Sequence, residues 1–294
     1  PKDTESANIW KDLFKSKGID ADTGDMDSEE GGYKRGMKLG ERIFFYQDKN
    51  WWTRSGTPDK MPVGEPGGPS TEMFYEYDAI EHDTSYGEHC HPNCDCGRFL
   101  EIGNSVFMAY KKNSEGGFDE LENKNVDFGG GLERIAAASI GTDDIFRISL
   151  LYPVIEELQK VSGKSYEDNV LAMRVIADHL RAAVFLVNDG VLPSNKEQGY
   201  VLRRFLRRAI RRALELGIEQ DLAATVVPVV VQSYQDAYPE LANVADKIQS
   251  VITNEEKVFR STLVRGVREF AKMTTREGKL TGQIIFTLSD TYGF

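Results

Sequence analysis

Residues 126–140 read VDFGGGLERIAAASI, and the fold of the first half turns on them. Asp127 ends a short apolar run, Gly129, Gly130 and Gly131 follow, and Leu132-Glu133-Arg134 opens an alanine-rich helical pattern. A strand that passes through glycines into a helix lets backbone approach a ligand closely, because glycine has no Cβ to hold it off. The helix start offers free N–H groups and the positive end of its dipole to an anion. Arg134 adds a planar guanidinium suited to phosphate. The stretch can therefore hold a cation at Asp127 and a phosphate near Arg134. The plainer alternative is a glycine turn with Arg134 in a structural ion pair, since a glycine cluster alone is a weak signal.

On the N-terminal side, residues 5–17 have helical period, with Ile9, Trp10, Leu13 and Phe14 on one face and Gly18 closing the helix. Residues 20–32 are acidic and contain glycine, and read as a loop. Segments 42–46, 73–77 and 98–110 read as strands, with Gly103 marking a bulge or a close backbone approach. The Pro/Gly-rich run 66–72 reads as irregular, and 113–117 as a turn. On the C-terminal side nearly everything from 144 to 272 has helical period, giving helices over 145–161, 169–187, 199–216, 222–237 and 241–275. The expected fold class is α+β with an antiparallel sheet over residues 1–143, then an all-α part over 144–280 and a linker over 281–294.

With 36 Lys and Arg against 47 Asp and Glu, the chain carries a formal net charge of −11. A nucleic-acid partner must then be met by a local basic patch and not by the global field. Helix 199–216 offers one: Arg203, Arg204, Arg207, Arg208, Arg211 and Arg212 recur in pairs every four residues. Like charges four apart cost helix stability unless something neutralises them. Either the phosphates of a polyanion or the acidic residues of neighbouring helices can do so.

No apolar run is long enough to span a bilayer as a helix. All three cysteines, Cys90, Cys94 and Cys96, crowd into HCHPNCDC at 89–96 together with His89 and His91. That crowding argues against a disulfide framework and for a reducing, intracellular setting. The expectation is a structural zinc held by Cys90, Cys94, Cys96 and one of His89 or His91; a loop of free thiols is the alternative. His179 sits in an amphipathic helix and reads as an interhelical hydrogen-bonding residue, and no Ser/His/Asp, paired-carboxylate or Walker pattern appears.

Residues 127–134, DFGGGLER, resemble motif 3 of the class II aminoacyl-tRNA synthetases. MRVIADHLR at 173–181, DGVLPSN at 189–195, GYVLRR at 199–204 and DTYGF at 290–294 narrow the resemblance to the alanyl-tRNA synthetases, over essentially the whole chain. The resemblance implies part of a class II catalytic sheet, then a helical tRNA-recognition domain and the start of a linker toward an editing domain. It implies a cytoplasmic enzyme that activates alanine with ATP and Mg²⁺ and transfers it to the 3′ end of its tRNA. By that resemblance Asp127 and Asn104 grip the alanine ammonium, Trp52 walls the pocket, and Val106 and Gly129 line it. Gly131 and Arg134 hold ATP. Asn195 and Asp290 inspect a G·U pair in the acceptor stem, and Arg203, Arg204, Arg207, Arg208 and Arg211 lie in the part that carries that stem.

Two departures are visible: PGGPS at 66–70 stands where the family usually has cysteines, and Gly103 where it has tryptophan. Motifs 1 and 2 would precede residue 1, so residues 1–294 alone are expected not to form the adenylate. The rival expectation is a non-catalytic RNA-binding module.

Overall fold

A computed structural model describes residues 2–219, 221–277, 280–282 and 284–286. Asp290 and most of the expected linker lie outside them. The chain divides into two compact units, residues 1–145 and 146–294.

The first unit holds α1 (Thr4–Ser16), β1 (Asp22–Asp27), α2 (Glu29–Arg35), β2 (Glu41–Tyr46), β3 (Trp51–Thr53), β4 (Pro66–Glu76), β5 (Phe99–Lys112), β6 (Phe118–Gly130) and α3 (Leu132–Ser139). Strands β3 to β6 form an antiparallel sheet in sequence order. Asn113 closes the β5–β6 turn: its Oδ1 accepts from the Gly117 N–H at 2.8 Å, and Gly116 takes a φ of 83°.

Two expectations need correction. Residues 66–72 are not irregular but begin β4. The two prolines are tolerated because Pro66 is the first residue of the strand, and Pro69 faces the three-residue β3 beside a register shift between Gly67 and Ser70. Gly68 is required there, since a Cβ would stand 1.8 Å from the Phe107 carbonyl oxygen. Residues 20–32 are not a loop either. They contain β1, which pairs in parallel with β2, and most of α2. The acidic composition hides the anchors: Met26 is fully buried, the Ser28 side chain caps α2 by accepting from Gly31 N–H, and Arg35 reaches over to Glu41.

The second unit is α4 (Tyr152–Ser162), α5 (Val170–Asn188), α6 (Glu197–Glu215), α7 (Leu222–Tyr234) and α8 (Glu240–Glu277). The helix expected over 145–161 divides: a 3₁₀ turn at Ile145–Arg147 precedes α4, which has Pro153 in its first turn. Helical period sets the core. Met173, Ile176 and Leu180 of α5, Leu202, Leu206 and Ile210 of α6, Val226 and Val230 of α7, and Ile248, Ile252 and Phe259 of α8 pack into one buried cluster. Asp221 gives α7 no side-chain cap, and Glu256 of α8 replaces it, accepting from the Leu222 and Ala223 N–H groups at 3.2 Å. Arg260 neutralises that buried carboxylate at 2.9 Å.

Candidate functional site

Asn104 pairs with Gly129 and Val106 with Asp127 across β5 and β6. Directly opposed residues of an antiparallel pair share a face, so these four lie together, and Glu72 of β4, opposite Asn104, joins them. Asp127 stands on the diagonal from Asn104, about 7–8 Å away backbone to backbone. A Cβ on Gly129 would meet nothing within 4 Å, so an open notch lies over Gly129, which pairs with Asn104 and stands two residues beyond Asp127 on the same strand. Val106 is buried and floors it. Met108, two residues along the same face, lines a cavity of about 410 Å³ with Trp52, Arg54, Glu65 and Pro66, which brings Trp52 to this side of the sheet.

The Asn104 Nδ2 donates to Glu72 Oε1 at 3.3 Å, which orients the amide. Its Oδ1 is buried with no hydrogen-bond partner, an arrangement that costs free energy until a donor arrives. Burial, and after it the charge of Glu101, push the Glu72 carboxyl above its ordinary range. On the other face Gly103 is covered by Met73 and Phe128; a Cβ there would stand 2.7 Å from Met73 Cε.

Gly103 also marks a bulge. Met73 pairs with Gly103 but Phe74 with Glu101, leaving Ile102 as the extra residue. The bulge turns two carbonyls toward the start of α3: Ile102 O accepts from the Gly131 N–H and Glu101 O from Arg134 Nη1, both at 3.0 Å. Arg134 Nη1 is also 3.7 Å from the Glu101 carboxylate, and its side chain is 49 % exposed. The glycines are therefore not all turn: Gly129 and Gly130 belong to β6, and Gly131 caps α3 without a side chain. A Cβ on Gly131 would come within 3.1 Å of the Arg134 side chain.

In the loop between β4 and β5 the structure corrects the expected metal ligands. His82, not His89 or His91, joins the three cysteines; its ring and the Cys90, Cys94 and Cys96 sulfurs offer ligand atoms within 4.8 Å of one another. His91 is fully buried elsewhere. Its Nδ1 meets the Tyr46 hydroxyl at 2.8 Å, and the Tyr33 ring stands edge-on 4.3 Å away. The His89 side chain is half exposed beside Glu88. His82 lies eight residues before Cys90, and only a spacing search reaching beyond the cysteine run would have found it. Burial pushes the Cys90 thiol up to about 12. Burial acts upward on Cys96 too, but hydrogen bonds to His82, the Arg98 backbone and the other two thiols outweigh it and bring it to about 6.

In the helical unit the arginine stripes part. Arg203 and Arg207 turn inward to the buried Glu255 of α8, at 3.1 and 3.2 Å. Arg203 also donates to Asn195 Oδ1 and to the Pro193 carbonyl. Arg212 pairs with Glu215. Arg204, Arg208 and Arg211 are exposed, Arg211 lying over the Phe259 ring at 5.7 Å. His179 is buried against Phe205, with Nδ1 2.9 Å from Asp178.

The antiparallel sheet, with its glycine-bearing passage into α3, and the helices after it define a synthetase-type α+β domain followed by an α-helical unit. The chain belongs to the class II tRNA synthetases (A), whose family model matches residues 22–294. It is 38 % identical to the alanine–tRNA ligase of Borreliella afzelii over all of this chain and 45 % of that protein. It is 34 % identical to the alanine–tRNA ligase of Petrotoga mobilis, over 99 % of this chain and 31 % of that protein. With the alanine–tRNA ligase of Clostridioides difficile it shares 36 % identity over 97 % of this chain and 32 % of that protein. The chain thus spans less than half the length of these relatives.

Proposed function

We propose that this chain is the part of an alanine–tRNA ligase that seats alanine, contacts ATP and receives the acceptor stem of the tRNA. The observation that carries the reading is the buried, unpartnered Asn104 Oδ1 on the strand face that Gly129, with open space over it, and Asp127 share. An ammonium has three donors and one positive charge; an amide oxygen and a carboxylate are its complement. The methyl group of alanine then rests on Val106, with Trp52 toward the wall. The α3 start and the Arg134 guanidinium lie one strand-end away for the triphosphate.

The chemistry needs no protein nucleophile. An alanine carboxylate oxygen attacks the α-phosphorus of ATP and pyrophosphate leaves; a ribose hydroxyl of the tRNA then attacks the acyl carbon and AMP leaves. Positioning and charge stabilisation carry both steps. Glu72 and Glu101 offer the carboxylate oxygens a Mg²⁺ ion prefers, and a divalent cation there would offset the burial and the Glu101 charge that push the Glu72 carboxyl up. Bound there with ATP, Mg²⁺ would neutralise phosphate charge. Asn195, with Arg204, Arg208 and Arg211, is the surface proposed for the acceptor stem, and Asp290 its partner at the G·U pair.

Alanine titration of residues 1–294 by calorimetry, with Asp127→Asn beside the parent, tests the reading. Loss of the alanine signal in the variant supports it; equal alanine binding by parent and variant would remove Asp127 from the site.

A further inference from the structure

The chain between β4 and β5, residues 77–98, holds no helix or strand. Stretches of that length without regular structure are uncommon in compact domains unless something ties them down. Yet Tyr77, His91 and Cys94 within it are buried. Its base is clamped where Arg98 donates twice to Glu76, at 2.8 and 2.9 Å, and where Tyr77 N–H donates to Arg98 O. His91 pins its middle to Tyr33 and Tyr46. The rest, residues 82–96, closes on itself around four soft donor atoms with no apolar centre of its own.

We propose that this loop is a structural zinc site, with one Zn²⁺ held by His82 Nδ1 and the sulfurs of Cys90, Cys94 and Cys96. The proposal is independent of the reading of the alanine pocket. Bonds of about 2.3 Å to sulfur and about 2.05 Å to nitrogen, set at tetrahedral angles, place sulfurs about 3.8 Å apart and sulfur from nitrogen about 3.6 Å. The observed Cys90–Cys96 and Cys94–His82 Nδ1 separations are 3.6 and 3.7 Å. All four ligand atoms lie within 4.8 Å of one another, and a Cys90–Cys96 disulfide would need about 2.05 Å and would strand the third cysteine.

The outer shell fits as well. His82 Nε2 lies 2.9 Å from the Gly87 carbonyl, so the proton sits on Nε2 and the Nδ1 lone pair faces the sulfurs. Three sulfurs and one nitrogen in a tetrahedron select zinc over the oxygen-seeking cations, and four protein ligands close the shell, so the metal is structural and not catalytic. Binding releases the thiol protons to solvent and changes no oxidation state. The metal would fix residues 77–98 as a rigid spur ahead of β5, the strand that carries Asn104.

The test uses residues 1–294 purified in reductant without chelator. Metal analysis should give one zinc per chain, and cobalt exchanged for it should show the intense visible bands of tetrahedral thiolate coordination. The three thiols should react with a disulfide reagent only after a strong chelator is added. His82→Ala should weaken zinc retention against a competing chelator by more than about tenfold, the lower end of what losing even an outer-shell partner costs. His89→Ala should leave it unchanged. Zinc below about a tenth of an equivalent in the parent, iron in its place, or full retention in His82→Ala would each overturn the proposal. Because cobalt spectra and thiol protection are read on the parent, a variant that fails to fold leaves the proposal exposed to both.

Discussion

Asn104 does two jobs with one amide: its Nδ2 is tied to Glu72 and its buried Oδ1 is left without a partner. Asp127→Asn removes the charge but keeps the shape of its partner across the notch. In the ligase proposed to carry this chain, that change should raise the KM for alanine in pyrophosphate exchange while the KM for ATP moves little. A lost charge-assisted contact of on the order of 1.5–3 kcal/mol corresponds to roughly ten- to hundredfold. Asn104→Asp tests the geometry from the other side: it leaves an acceptor at Oδ1 but removes the donor to Glu72, whose carboxyl already lies above its usual range. That variant should tighten its pH dependence toward acid, where one of the two carboxyls is protonated. Equal loss for both substrates in Asp127→Asn would break the assignment. At this scale the placement was readable where residues lay in one strand or one turn, as with Asp127 and Gly129 on the strand that leads into α3. It was not readable at His82, because a fold brought that ring to the cysteines across a loop whose own path the sequence does not dictate.

Elements differ in what holds their ends. The N-terminus of α7 depends on a residue from another helix, Glu256, which accepts two backbone N–H groups and pairs with Arg260 while almost wholly buried. Glu256→Ala leaves two buried donors and a cation without it and should cost about 3–5 kcal/mol in denaturant unfolding. A loss under about 1 kcal/mol would mean those groups find other partners. The β1–α2–β2 corner makes a different, pH-dependent claim. The hydrogen bonds from Arg35 hold the Glu41 carboxyl below its ordinary range, against burial. A depressed value in the folded state gives stability above the unfolded value of about 4.3 that is lost as pH falls below it. Glu41→Gln should therefore flatten the acid limb of the stability curve, and an unchanged limb would assign it to other carboxyls. The helices of the second unit were legible because their apolar period runs unbroken for many turns. β1 and the start of β4 were not: one has a single deeply buried side chain, and the other is strand only because Gly68 lets β5 approach.

For the whole molecule the question is how a chain of net charge −11 would meet the RNA proposed for it. The arginine repeat on α6 showed a basic side but not its division, because Glu255 lies 48 residues from the Arg207 it neutralises. Arg203 and Arg207 are committed inside the unit; Arg204 and Arg208 face solvent. Their roles should then separate. Arg204→Gln and Arg208→Gln should weaken acceptor-stem binding and each lower the slope of log K against log salt by roughly one unit, with no change in unfolding. Arg207→Gln should act on stability first, by on the order of 1–3 kcal/mol, since it takes a charged donor from the buried Glu255. Asn195 is a third case. Its Oδ1 accepts from Arg203, which leaves the Nδ2 as the group able to read a base edge in the wide RNA minor groove. Asn195→Ala should erode discrimination between G·U and G·C stems while the salt slope stays, because phosphates position and base edges specify. Arg203→Lys, which keeps the charge but breaks the fork that orients Asn195, should erode the same discrimination in part. The measurement is stem binding by both RNA variants at several salt concentrations, with unfolding recorded for each protein. If Arg207→Gln lowers the salt slope without touching stability while Arg204→Gln does nothing, the inward and outward stripes are assigned the wrong way round.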